Sequence, residues 1–128
     1  MFMPRILSVG QCSADDYRIA RFLQADVGAT VDRAFDGADA LEKMKKESYD
    51  LVLVNRVMDN GESGIEFIGE AVEKPVAGNV PFMLVSDYPE AQAQAVEAGA
   101  RMGFGKSDLG EPEVAKLIKD VIHVAKEA

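Results

Sequence analysis

Short apolar runs alternate along the chain with segments whose apolar residues recur every three or four positions. The first run, "RILSVG" from Arg5 to Gly10, has the composition of a β-strand, and Ile19, Phe22 and Leu23 then form one helical stripe that fades between Asp26 and Gly28. "ATVDRAF", from Ala29 to Phe35, predicts a second strand. Asp36 is placed to cap a helix in which Ala40, Leu41 and Met44 share a face, and "KKES" closes it with charge. Leu51 to Val54, "LVLV", is apolar at every position, the mark of a strand covered on both faces. Ser63 and Glu66 carry the spacing of a capping box before Ile65, Ile68 and Val72. "VPFMLV", from Val80 to Val85, predicts a fourth strand, and Pro89 is suited to open an alanine-rich helix ending at Gly99. "ARMGF" is a weaker fifth strand. A last helix begins at Pro112, with Val114, Leu117, Ile118, Val121, Ile122 and Ala125 on one face.

Five alternating βα units joined by short connections imply parallel strands with right-handed crossovers, hence a three-layer α/β domain. A chain of 128 residues suits one such domain, spanning 1–128. In these sheets binding groups collect just beyond the carboxyl ends of the strands. The residues at those points are Gly10, Gln11 and Cys12, then Asn55 to Asn60, then Ser86 and Asp87, and finally Lys106.

Composition narrows the function. The chain is 48% hydrophobic and 28% charged, an ordinary globular balance, and its net charge of −8 disfavours a nucleic-acid surface, which needs clustered Lys and Arg. No apolar segment approaches the roughly 20 residues of a membrane span, and "MFMPRILSVG" does not read as a signal peptide. The single cysteine, Cys12, cannot form an internal disulfide, which agrees with a reducing compartment and a cytoplasmic location. With no basic neighbour in sequence to lower its pKa, Cys12 reads as a small half-buried thiol. Asp15 and Asp16, with Ser13, read as residues that cap and charge a helix start.

The stretches "RILSVG", "AFDGADALEKM", "YDLVLVNRVM", "SGIEFI", "VPFMLVSDY", "AVEAGA" and "GFGKSDL", taken in order, make the chain resemble the receiver domains of two-component response regulators over nearly its whole length. The resemblance implies a flavodoxin-like fold of five βα units with a parallel sheet in the order 2-1-3-4-5. It also implies that an aspartate at the end of the third strand would accept a phosphoryl group, and that two acidic residues after the first strand would hold Mg²⁺. Here those positions are Asn55, Gly10 and Gln11, while the hydroxyl after the fourth strand and the lysine after the fifth are kept as Ser86 and Lys106. Where many receivers place a switching aromatic, this chain has Gly103, with Phe104 out of register by one residue.

Chemistry follows from those substitutions. The neutral oxygen of a carboxamide is a far weaker nucleophile than a carboxylate, so Asn55 should not be phosphorylated. A pocket of two amides and a glycine offers little to Mg²⁺, so neither a metal nor a cofactor is expected. Lys106 then needs another acceptor, and Asp59 or Asp87, together with the Asn55 carbonyl, are the nearest candidates in sequence. The expected function is a non-enzymatic, phosphorylation-independent interaction module. Its partner would be a protein, such as a signalling kinase or an output protein, or a second copy meeting it through the face of the fourth and fifth helices. The competing expectation is a small-ligand or redox sensor whose emptied pocket uses Ser86, Lys106, Asn55 and Gln11.

Overall fold

The computed structural model describes residues 2–127. Its elements are β1 (Arg5–Val9), α1 (Ser13–Phe22), β2 (Thr30–Ala34), α2 (Gly37–Lys46), β3 (Leu51–Asn55), α3 (Gly64–Ala71), β4 (Phe82–Val85), α4 (Pro89–Ala98), β5 (Arg101–Phe104) and α5 (Pro112–Glu127). The strands form one parallel sheet in the order β2-β1-β3-β4-β5. Each expected strand is present with its ends shifted: the second loses Ala29 and Phe35, the third runs one residue further to Asn55, and the fourth begins at Phe82.

The unbroken apolarity of the central strands has its explanation in the two layers they separate. Leu7, Val9, Val52, Val54, Phe82 and Leu84 face one core, packed with Met44, Phe67, Ile68 and Ala95 of α2, α3 and α4. The alternate residues Ile6, Leu51, Leu53, Met83 and Val85 face the other, with Ile19, Phe22, Ile118 and Ile122 of α1 and α5. Full burial of one such side chain contributes about 1.5–3 kcal/mol, so both faces of every central strand stabilise the sheet. The α5 stripe buries Val114, Ile118, Val121 and Ile122 as its spacing predicts.

Local signals set the helix ends. The Asp36 side chain accepts the Asp39 N–H at 2.8 Å, and Ser63 Oγ accepts the Glu66 N–H at 3.2 Å. Pro89 opens α4 and Gly99 follows its end. The start of α1 differs from expectation: its N-cap is Cys12, whose side chain makes no capping bond. Beyond Phe22 the helix widens into one π turn, Leu23–Val27, before Gly28 reverses the chain.

Candidate functional site

Parallel pairing with β3 central brings four connections to one edge of the sheet, those after β1, β3, β4 and β5. A cleft of about 330 Å³ opens there, walled by Asn55, Arg56, Ser86, Asp87, Tyr88 and Lys106, with the Arg56 guanidinium stacked 4.8 Å from the Tyr88 ring centre.

Asn55 ends β3 and is 9% exposed. Its amide nitrogen donates to two backbone carbonyls, that of Gly10 at 3.1 Å and that of Val57 at 2.7 Å. The amide therefore ties the end of β1 to the loop that leaves β3, and it does so as a donor. The loop is folded as a small hairpin: Val57 bridges Ser63, Met58 N–H donates to Glu62 O at 2.8 Å, and Asp59 N–H donates to Gly10 O at 2.9 Å. Met58 is 2% exposed and lies directly over Gly10. The two carbonyls that converge on Asn55 are thus satisfied by the chain itself.

Gln11 is 1% exposed, and neither polar atom of its side-chain amide meets a hydrogen-bond partner among the described residues. It does not line the cleft, so the expectation of a ligand pocket built jointly from Ser86, Lys106, Asn55 and Gln11 is corrected: burial removes the Gln11 side chain from it. Ser86 is also buried, and its Oγ accepts the Tyr88 N–H at 3.2 Å, turning the chain into α4.

Lys106 provides the second correction. Its Nζ donates to Asp15 Oδ2 at 2.8 Å, and not to Asp59, Asp87 or Asn55. Asp87 is held elsewhere, accepting from Ser107 N at 3.2 Å and Ser107 Oγ at 2.7 Å, which lowers its pKa below the ordinary 3.8. Asp59 is carried outward, exposed, on the hairpin. Asp15 lies in the first turn of α1, and because α1 and α5 cover the same face of the sheet, that turn stands beside the connection from β5 to α5. Asp15 is therefore more than a charge at a helix start.

The hydrogen bond from Lys106 holds Asp15 below the ordinary carboxylate value of 3.8, against the opposing effect of burial; the Cys12 thiol and Arg18, 3.6 Å away, act in the same direction as Lys106. A depressed folded pKa means that the pair stabilises the fold above the unfolded value and stops doing so as pH falls through the folded one. Both side chains are about a quarter exposed, 28% and 24%, so Asp15→Asn should cost about 1 kcal/mol at pH 7. Urea unfolding of parent and variant should show that gap at pH 7 and lose it as pH falls through the lowered Asp15 value. A gap independent of pH would mean that the carboxylate charge is not what holds Lys106.

Sequence reasoning missed three residues here: Asp15 as the lysine's partner, Met58 as the cover of Gly10, and Gln92, a buried glutamine of α4 that bonds to both β4 and β5. A signal for the last existed, since Gln92 falls between Ala91 and Ala95 on the buried stripe of its helix. Among the described residues, no group of three or more His, Cys, Asp or Glu side chains is arranged to hold a metal ion. Phe104 packs into the core beneath α1 and α5, and Gly103 occupies the adjoining position.

A family model described as the response regulator receiver domain matches residues 15–118. The chain is 28% identical over 110 residues to the gliding motility regulatory protein of Myxococcus xanthus; that match covers 81% of the chain but 14% of the relative. Two solved structures share the fold. One is a CheY-like response regulator receiver domain protein from Methanospirillum hungatei, with a TM-score of 0.80, 20% identity, and 98% of each chain covered. The other is the chemotaxis protein CheY4 of Vibrio cholerae, with a TM-score of 0.74, 24% identity, and 94% of this chain and 99% of that one covered.

Proposed function

The chain belongs to the response regulator receiver domain family, and from that premise we propose that it works in two-component signalling as a receiver that needs no phosphoryl group, acting by binding a protein rather than by catalysis. The observation that carries this reading is the state of the lysine. Lys106, the cation that the family resemblance would direct to a phosphoryl group, is already neutralised by a carboxylate of its own chain, Asp15 at 2.8 Å. Asn55 supports it: its amide is committed as a donor to two carbonyls, and its oxygen has little nucleophilicity.

A receiver wired in this way presents one standing conformation, and its output is docking. The surface we assign to docking is built by α4, β5 and α5. A signalling kinase, an output protein or a second copy of the chain are the partners that this surface would serve. The M. xanthus relative is named as a regulator of gliding motility, and a receiver of this kind embedded in such a protein would act as an interaction module there.

Incubation with acetyl phosphate and Mg²⁺ followed by intact-mass measurement should show no gain in mass. A single phosphoryl adduct mapping to the segment from Tyr49 to Gly64 would overturn the proposal. The same assay on a phosphorylatable receiver provides the positive control.

A further inference from the structure

The strand β5 does not pair evenly with β4. Between the pairs Met83–Arg101 and Val85–Phe104, β5 carries one residue more than its neighbour. An extra residue of this kind leaves a peptide group out of the ladder, and a buried peptide group without a partner is costly. The side chain of Gln92 occupies that gap. Its Oε1 accepts the Gly103 N–H at 3.0 Å, and its Nε2 lies 2.9 Å from Leu84 O, 3.1 Å from Ser86 O and 3.3 Å from Phe104 O. A carboxamide carries the same donor and acceptor as a peptide, so it substitutes for the missing rung.

Two further facts make this more than local satisfaction. The helix that carries Gln92 buries little else: Ala91, Gln92 and Ala95 are its buried residues, two of them with side chains of a single methyl group. Burial scales with apolar area, so α4 has weak hydrophobic attachment to the sheet and depends on its polar contact for position. The strand has also made room for the amide. A Cβ on Gly103 would fall on Leu84 O and stand 3.1 Å from Gln92 Oε1, so glycine is what lets β5 lie against β4 with the amide beside it.

We propose that Gln92 is the positioning residue of the α4–β5 face: its amide, seated in the irregular β4–β5 ladder over Gly103, fixes α4 in one place without any input from the cleft. This rests on the reading of that face as the docking surface and deepens it by naming what holds the surface in place. In that role the clamp replaces a switch. Ser86 is joined to the same network through its carbonyl, so the connection from β4 to α4 is pinned at both its backbone oxygen and its side chain.

Amide hydrogen exchange on the full chain tests it, and needs neither a partner nor a phosphoryl donor, so its failure is separable from failure of the phosphorylation-independent reading. Gln92→Leu keeps the bulk and removes the hydrogen bonds. Exchange should accelerate by roughly tenfold or more in peptides covering α4 and β5, while peptides from β1 and β3 keep the parent's rates. Gly103→Ala, whose Cβ would strike Leu84 O of β4 and crowd the Gln92 amide, serves as a control that loosens the same β4–β5 ladder directly. Unchanged exchange at α4 and β5 in Gln92→Leu would overturn the proposal. So would a uniform rise over the whole sheet, or outright unfolding of that variant, because Gln92 would then be part of the general core and not a local clamp.

Discussion

Asn55→Asp should destabilise the fold by about 3 kcal/mol at pH 7, a large effect for a change that alters no heavy-atom shape. The parent amide donates to the carbonyls of Gly10 and Val57 from a site that is 9% exposed. A carboxylate in its place has nothing to donate and sets its own negative oxygens against two others. Two hydrogen bonds are lost and a buried charge is left facing acceptors, which is the more costly part. Protonation would restore one donor, so burial and the carbonyls should raise the new carboxyl's pKa above its unfolded value near 3.9. The deficit against the parent should therefore shrink as pH falls through that raised value and level off below about 3.9. Urea unfolding of both proteins from pH 7 to pH 3 measures it. A variant as stable as the parent at pH 7 would show that the amide donor is not what ties β1 to the loop after β3.

The same substitution separates two histories for the position. If Asn55 were only a charge-neutral remnant in a site otherwise ready for chemistry, restoring the acid would return Mg²⁺ binding with little loss of stability. The hydrogen bonds around the amide favour the other history, in which the surroundings depend on the donor. The hairpin from Val57 to Ser63 is closed by its own hydrogen bonds, with Asp59 N–H on the carbonyl that Asn55 also uses.

Much of the fold was legible because its signals are local or periodic. Apolarity at every position from Leu51 to Val54 announced a strand with two covered faces; Asp36 and Ser63 marked helix starts through their own side chains; and the α5 stripe needed only its spacing. The positions of Asn55, Ser86 and Lys106 at one sheet edge followed from strand order. Their partners did not. Lys106 and Asp15 are 91 residues apart, and proximity in sequence favoured Asp87, which Ser107 holds instead. The pairing depended on α1 and α5 sharing a face, so that the first turn of one meets the connection preceding the other. Gln92 was hidden for another reason. An alanine-rich helix carries a weak pattern, and a polar residue within its stripe looks like noise unless the irregular ladder beneath it is known.

Gly10→Asp is the substitution with the largest expected cost, about 4 kcal/mol, because it fails in backbone, packing and charge at once. Gly10 has φ of 75°, in the left-handed region where a side chain is strained. A Cβ built there stands 2.7 Å from Met58 Cβ and 3.1 Å from Met58 Cα, so the backbone of the hairpin must move to admit it. The carboxylate would also enter a site that Met58, 2% exposed, keeps dry. For these reasons an acidic pocket rebuilt with Gly10→Asp, Gln11→Asp and Asn55→Asp should remain poorly folded and gain little from Mg²⁺ while Met58 stays. Adding Met58→Gly removes the atoms in conflict at Cβ and beyond. The pair Gly10→Asp and Met58→Gly should then be less damaging together than the sum of the two alone, by about 2 kcal/mol in a double-mutant cycle. In the background carrying all four changes, a hard cation has carboxylates to bind, and Mg²⁺ should raise the melting temperature, since a ligand bound only by the folded state stabilises it. Additive costs, or a Mg²⁺ response of the triple variant equal to that of the quadruple one, would show that Met58 is not what closes this pocket to metal.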